Sequence, residues 1–335
     1  MSALTKRQKS ASSLVIGTHS GTFQADEAMG VWMLRQHPAY FQSKVVRSRD
    51  LEVLGPLDIV IDVAGEYDHA KLRYDHHQRG FEETLSECGF DIKLSATGLV
   101  YRHYGKDVIC ELYPALKSEP AKLETVYSKF YKSFVQALDA IDNGVEIAKN
   151  PRYSDGTGLS ARVGRLNKRW NDTSESPTED ERFEKASAIC GEAFVESLSY
   201  IVECEMAAYD LVEKAVLARN AVDPSGQIIK FESGGMPWKQ HLYDLEAVHN
   251  IEGQVKFVLY TDQGGMWRVQ AVTVKGTAFT NRVGLLESWR GVRDAELEKV
   301  SGIPGCKFVH NSGFIGGNKE FEGALLMAQK SIAGA

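Results

Sequence analysis

Arg73-Tyr74-Asp75-His76-His77-Gln78-Arg79-Gly80 closes a short β-type run with an aspartate and two adjacent histidines, three metal-ligand side chains within one turn. Carboxylate oxygen combined with imidazole nitrogen suits Mn²⁺, Zn²⁺ or Fe²⁺ better than an ion that takes only oxygen ligands, such as Ca²⁺. Adjacent histidines also occur on solvated turns. The triplet therefore draws its meaning from segments upstream that carry the same chemistry in the same kind of place.

Leu57-Asp58-Ile59-Val60-Ile61-Asp62-Val63 is a β-branched run with Asp62 near its end. Farther upstream, Leu14 to Thr18 reads as a buried strand, a Gly- and Ser-containing loop follows, and Ala28 to Gln36 read as a helix. His19 and Asp26 are expected on that strand-to-helix loop. Open α/β sheets gather ligand sites beyond the carboxyl ends of their strands, so His19, Asp26, Asp62 and Asp75-His76-His77 are expected to converge there. Phe134 to Asn143 is helical in pattern, and its Asp139 and Asp142, three apart, share one face. For any one carboxylate a helix cap or a surface charge is the competing reading. Four such segments in succession argue for convergence.

From Leu14 to about Arg169 strands (Leu14–Thr18, Lys44–Arg47, Asp58–Val63, Lys71–Tyr74) alternate with helices (Ala28–Gln36, Ala96–Tyr104, Val126–Ile141). That alternation predicts an α/β domain over 14–170 with a mostly parallel sheet. The polar, Pro-containing stretch Asn171 to Asp180 and the helical pattern Glu181 to Asn220 predict a linker and connecting helix over 171–220. Beyond the turn Asp223-Pro224-Ser225-Gly226 the pattern is strand-rich (Gln227–Phe231, Val255–Thr261, Met266–Val274, Lys307–His310), which predicts a smaller α+β domain over 221–335.

Composition sets outer bounds. The chain has 335 residues, 43% hydrophobic and 25% charged, an ordinary globular balance. A net charge of −6 argues against indiscriminate adhesion to nucleic acid but leaves room for a local basic groove. Five scattered cysteines (Cys88, Cys110, Cys190, Cys204, Cys306) form no Cys-x-x-Cys pair, which fits a reducing interior rather than a disulfide scaffold or zinc finger. No apolar run reaches the roughly 18 residues that span a bilayer, so no membrane partner is expected. The first thirteen residues hold Lys6, Arg7 and Lys9 with four serines and no acid, readable as a disordered tail, an organelle presequence or a nuclear signal.

The order His19…Asp26, Asp62, Asp75-His76-His77, Asp142 resembles the DHH phosphoesterase superfamily. Longer strings narrow the resemblance: Gly17-Thr18-His19-Ser20-Gly21-Thr22-Phe23, Ala140-Ile141-Asp142-Asn143-Gly144, Pro237-Trp238-Lys239-Gln240-His241-Leu242, and Phe308 to Lys319. With these, the chain is similar to the melanocyte proliferating gene family over about Leu14 to Ala328. The resemblance implies a 3′–5′ RNA exonuclease, intracellular, in mitochondria or nucleus with cytoplasm as an alternative. It implies two divalent ions, Mn²⁺ ahead of Mg²⁺, with single-stranded RNA as partner; it leaves the oligomeric state open.

By the same resemblance His19, Gln24 and Asp62 hold one ion, and Asp26, Asp62, His76 and Asp142 the other. Asp62 is the expected bridge, and Asp75 or His77 orients the ligands from behind or protonates the leaving group. The family has His where this chain has Gln24, and an amide oxygen is the weaker ligand for a transition metal. In the C-terminal domain, Gly316-Gly317 are expected in a phosphate-approaching loop before a helix, with His310 and Asn311 on the preceding strand as further substrate contacts. Arg282 and Arg290 are surface charges or added phosphate contacts. The basic stretch Arg162, Arg165, Lys168, Arg169 is a solvated face or a phosphate-tracking edge. Two other functions compete: a small-molecule phosphatase or pyrophosphatase, and an RNA-binding protein weakened as an enzyme by Gln24.

Overall fold

The computed structural model describes residues 14–334; the basic segment around Lys6, Arg7 and Lys9 lies outside them. Two compact units divide the chain between Ile201 and Val202. In the first, β1 (Val15–Thr18), β2 (Lys44–Arg47), β3 (Ile59–Ile61), β4 (Tyr67–Asp68) and β5 (Arg73–Tyr74) form one sheet in the order β2-β1-β3-β5-β4. Every neighbouring pair is parallel except β4 with β5. Ile16, Ile59, Val60, Ile61 and Tyr74 are buried. Strands covered on both faces carry continuous apolar runs, which is the pattern read from the sequence.

The helices of this unit are α1 (Ala25–Gln36), α2 (Leu51–Leu54), α3 (Ala96–Leu112), α4 (Pro120–Phe130), α5 (Gln136–Asp142), α6 (Leu159–Gly164) and α7 (Glu179–Ser199). A π-turn at Tyr131–Val135 joins α4 to α5, so the expected helix Val126–Ile141 is one run that starts earlier, at Pro120. α1 buries Met29, Val31, Met33 and Leu34, packed between α3 and α7. Helical bonding continues from α7 through a π-turn at Tyr200–Glu205 into α8 (Met206–Leu217).

The second unit holds β6 (Ile228–Lys230), β7 (Phe257–Thr261), β8 (Trp267–Ala271), β9 (Cys306–Val309) and β10 (Ile315–Asn318), ordered β6-β7-β8-β10-β9. Only β6 and β7 pair in parallel. Successive side chains point to opposite faces. Ile228, Phe257 and Leu259 accordingly meet Ala324 and Met327 of one helix, numbered α12 below, while Ile229 and Val258 meet Val212 and Val216 of α8. The remaining helices are α9 (Arg219–Val222), α10 (Lys239–Val248), α11 (Asp294–Ser301) and α12 (Phe321–Ala333). Among the described residues no helix is long and apolar enough to cross a membrane.

One expectation fails here. Gly316 and Gly317 do not form a phosphate loop; they lie inside β10, buried, paired with β8 on one side and β9 on the other. A Cβ on Gly316 would stand 2.8 Å from Leu285 and 3.0 Å from Met327, and one on Gly317 2.9 Å from Phe308. These glycines let side chains close over the strand. The helix that follows starts at Glu320 and Glu322, an acidic end that repels an anion.

Between α1 and α7, Trp32 and Phe194 meet at 4.9 Å, and a Cβ on Gly191 would fall 1.9 Å from the Trp32 ring nitrogen. A fixed indole cannot yield that much. Gly191→Ala is expected to destabilise the protein by at least the about 1–3 kcal/mol typical of overpacking, read as a lower guanidinium midpoint; an unchanged midpoint would show that the seam is loose.

Candidate metal centre

β3 stands between β1 and β5, so the carboxyl ends of the three strands bring His19, Asp62 and Asp75-His76-His77 to one place. Asp62 itself takes a left-handed backbone, φ 57°, directly after β3. Such a conformation costs a non-glycine residue about 1–3 kcal/mol and persists only where its surroundings enforce it. Asp26 is not on the loop, as its position in the sequence suggested, but in the first turn of α1, which begins three residues earlier than expected. Asp142 is the last residue of α5: Asn143 caps the helix, its amide bonded to Lys93 O and Asp139 O at 2.9 Å, and Gly144 turns away at φ 69°.

Three groups of ligand atoms result: His19–Glu27–Asp62, Asp62–His76–His77 and Asp26–His76–Asp142. His19 Nε2 lies 3.0 Å from Glu27 Oε1 and 3.4 Å from Asp62 Oδ2. The other Asp62 oxygen, Oδ1, lies 3.6 Å from His76 Nε2 and 3.4 Å from His77 Nδ1. Asp62 thus faces one group with each oxygen. His76 Nε2 and Asp142 Oδ2 approach to 2.9 Å. Yet both atoms, with Asp62 Oδ1 and Glu27 Oε2, are buried without a hydrogen-bond partner. Buried polar atoms are nearly always satisfied. Buried ligand atoms left without partners are what a cation needs, and the donor set fits a divalent ion with mixed N and O ligands.

Glu27 was missed as a ligand in the sequence. The signal was present: an acidic pair opening an apolar helix marks its first turn, where the residue after Asp26 is held close to the loop. Glu27 Oε1 also accepts from the backbone N–H of Gln24 at 2.9 Å. Gln24 is therefore the N-cap of α1, exposed, its residue lining the cavity of about 330 Å³ in front of the cluster.

Around these atoms stands a frame of bonded carboxylates. Asp26 accepts from the Ser95 hydroxyl and from the backbone N–H groups of Ala96 (2.9 Å) and Thr97 (2.7 Å). Asp139 turns from the same face of α5 towards Ser95 and accepts the Tyr131 hydroxyl at 2.8 Å, so it braces the fold while Asp142 reaches the centre. Asp75 joins none of the three groups: its oxygens accept the N–H of Gly65 and that of His77, and bond His77 Nδ1 at 2.9 Å. It is a clamp on two loops and on the His77 ring.

Burial sets the electrostatics. It lifts Asp26 well above the carboxylate range, reinforced by Asp62 and Asp142, and lifts Glu27 against the opposing pull of His19. Burial would raise Asp62 too, but His19 and His76 hold it low. For His19 and His76, burial lowers and carboxylates raise; Asp62 with Glu27 carries His19 up to about 10, and Asp142 with Asp62 carries His76 up to about 10. Burial places Asp139 at about 6.

The candidates of the second unit divide. His310 and Asn311 are exposed, with His310 Nδ1 2.9 Å from the Ser312 hydroxyl. Arg282 is buried and forks onto Glu246 at 2.6 and 2.7 Å, a structural pair and no surface charge. Arg290 donates to Leu285 O at 3.1 Å.

The MYG1 exonuclease profile, described as "Uncharacterised protein family (UPF0160)", matches residues 15–332. The MYG1 exonuclease of Bos taurus is 47% identical over 95% of this chain and 84% of its own length. The human MYG1 exonuclease is 45% identical over 95% and 85%, and the MYG1 protein of Dictyostelium discoideum 45% over 96% and 97%. No solved structure matches. The chain belongs to the MYG1 exonuclease family.

A divalent ion bound here displaces protons from His19, His76 and Asp26. Affinity for Mn²⁺ is therefore expected to rise with pH, and titration calorimetry in buffers of different ionisation enthalpy to show proton release. In the chelated protein both imidazoles are raised from 6.5 to about 10. The stability they contribute is full below pH 6.5 and lost as pH climbs through about 10. The melting temperature of chelated protein should accordingly fall across that window faster than that of loaded protein; parallel curves would refute the assignment.

Proposed function

We propose that this chain is a metal-dependent phosphodiester hydrolase that removes nucleoside monophosphates from the 3′ end of single-stranded RNA. The observation that carries the reading is the Asp62 carboxylate, with one oxygen towards His19 and the other towards His76 and His77. His19, Glu27 and Asp62 would hold one divalent ion; Asp26, Asp62, His76 and Asp142 would hold a second, Mn²⁺ ahead of Mg²⁺ because imidazoles are present. Such a pair supplies a water of lowered pKa and neutralises charge at the phosphorus. His77, gripped by Asp75 through Nδ1, keeps Nε2 for the leaving oxygen.

The names of the relatives, MYG1 exonuclease in cattle and human, support a nucleic-acid substrate. So does a second cavity, about 270 Å³, that shares Thr22, Gln24 and Asp142 with the first. Leu138 and Ile141 wall it and offer apolar surface to a base, which pyrophosphate lacks. RNA over DNA, the 3′ polarity and a mitochondrial or nuclear setting draw on the family resemblance, with five unpaired cysteines consistent with a reducing compartment. Exposed His310 and Asn311 remain available to the strand.

Asp62→Ala is expected to abolish hydrolysis of end-labelled single-stranded RNA and to remove most bound metal together. Undiminished hydrolysis in that variant, or in excess chelator, would sink the metal reading, and cleavage of pyrophosphate in place of RNA would move the activity to small molecules.

Gln24→His places an imidazole at the mouth of the His19 group. Loops and caps tolerate such change. Tighter binding of one ion and faster turnover are expected; a tenfold gain needs only about 1.4 kcal/mol. Equal metal stoichiometry and equal rates in the two proteins would show that Gln24 already serves.

A further inference from the structure

The cluster is rich in carboxylates. Asp26, Glu27, Asp62 and Asp75 are buried beside it, with Asp142 at the edge, and an arriving phosphoester adds negative charge. Among the described residues that line the cavity of about 330 Å³, Arg49 is the one lysine or arginine. Its place follows from topology. β2 lies next to β1 in the sheet, so the residues just past β2 stand beside His19, just past β1. The turn there is stiff: Ser48 N donates to Thr18 O at 2.9 Å, Asp50 N to the Ser48 hydroxyl at 3.0 Å, and Asp50 caps α2 through Glu52 N at 2.9 Å.

Arg49 is exposed, and no acidic partner for it appears among the described residues. Its Nε donates to Ser20 O at 3.1 Å, and its Nη2 stands 3.2 Å from His19 Nδ1. A guanidinium carries five N–H donors, and these two contacts engage only Nε and Nη2. Nη1 has no hydrogen bond among the described residues, so the fork keeps open donors at the mouth of the cavity.

We propose that Arg49 is the phosphate-binding cation of this site, its guanidinium taking the non-bridging oxygens of the phosphoester brought to the His19–Asp62 cluster. The proposal rests on the phosphoester reading and deepens it: substrate and product are recognised through a planar, bidentate cation, the pairing for which arginine is suited and lysine is not. It also separates Arg49 from Arg282, whose fork is already spent on Glu246.

The test uses full-length, Mn²⁺-loaded protein with Arg49→Gln and Arg49→Lys. Metal content is read by elemental analysis, adenosine 5′-monophosphate binding by calorimetry, and hydrolysis of single-stranded RNA by its kinetics. Arg49→Gln should keep its metal, weaken nucleotide binding by about tenfold or more, and lower kcat/KM at least as much, since charged hydrogen bonds are the stronger ones. Arg49→Lys should recover part of both. Unchanged nucleotide affinity in Arg49→Gln, no nucleotide binding by the unaltered protein, or loss of metal in both variants would overturn the proposal; the last would show that Arg49 merely supports His19. A protein that binds the nucleotide through Arg49 yet cleaves no RNA would defeat the exonuclease reading and leave this one standing.

Discussion

Carboxylates packed into one buried cluster repel one another, and much of the first unit is arranged to hold them there. Asp26, Glu27, Asp62 and Asp75 are each almost completely removed from water, Asp142 nearly so. Isolated buried charges are prohibitive, so each needs hydrogen bonds, an opposite charge or a proton. Asp75 is met by backbone N–H groups and the His77 ring. Asp62 is met by His19 and His76, which explains why it stays low while Asp26 and Glu27 are pushed up. Glu27 Oε2, Asp62 Oδ1, His76 Nε2 and Asp142 Oδ2 are left without partners, each on a residue of the three ligand groups. A divalent cation held there would answer repulsion and orphaned atoms together.

Much of this was legible in the sequence, for a physical reason. Period-2 and continuous apolar patterns report which strands are buried, and β2 came out with its observed bounds, Lys44–Arg47. Metal ligands sit where strands end, and a β-branched run ending in Asp62 announces both. What stayed hidden depends on backbone turns and neighbours that no local pattern encodes. The φ of 57° at Asp62, whose N–H donates to Tyr74 O of β5, is such a turn. Glu27 joins a group that could hold a metal because α1 starts at Ala25 rather than Ala28, a boundary shift of less than one turn. Gly316-Gly317 resembles a phosphate loop in composition, yet Leu285, Met327 and Phe308 decide its role as a strand on which side chains close. Arg49 carries no motif at all; only the order β2-β1-β3 sets it beside His19.

The site and the fold share their fixings at the start of α3. A helix leaves its first four N–H groups without internal partners. Here two carboxylates from other helices take them: Asp26 of α1 accepts from Ala96 and Thr97, and Asp139 of α5 accepts from Ser95 and Gly98. Ser95, formally the cap, instead bonds both carboxylates with its hydroxyl. The positive end of the α3 dipole favours negative charge on either carboxyl group. Gly98 is what lets Asp139 in, since a Cβ there would stand 2.4 Å from its carboxylate oxygen.

This lock explains why Asp26, Asp142 and His76 meet with so little tolerance. Asp26 is fixed on α1 by the α3 cap, and Asp142 is fixed on α5 by Asp139, three residues before it and bound to the same cap. Two of the three ligands are thereby indexed to one helix end rather than to flexible loops. A site carried on packed helices and strand ends holds its geometry more closely than one carried on loops. The third ligand, His76, follows Asp75, whose bonds to Gly65 and His77 tie the turn after β5 to the turn after β3. Gln24 and Arg49, at the mouth of the cavity in front of this centre, are by contrast exposed. The fixed placing of the centre follows from where each carboxylate finds its hydrogen bonds.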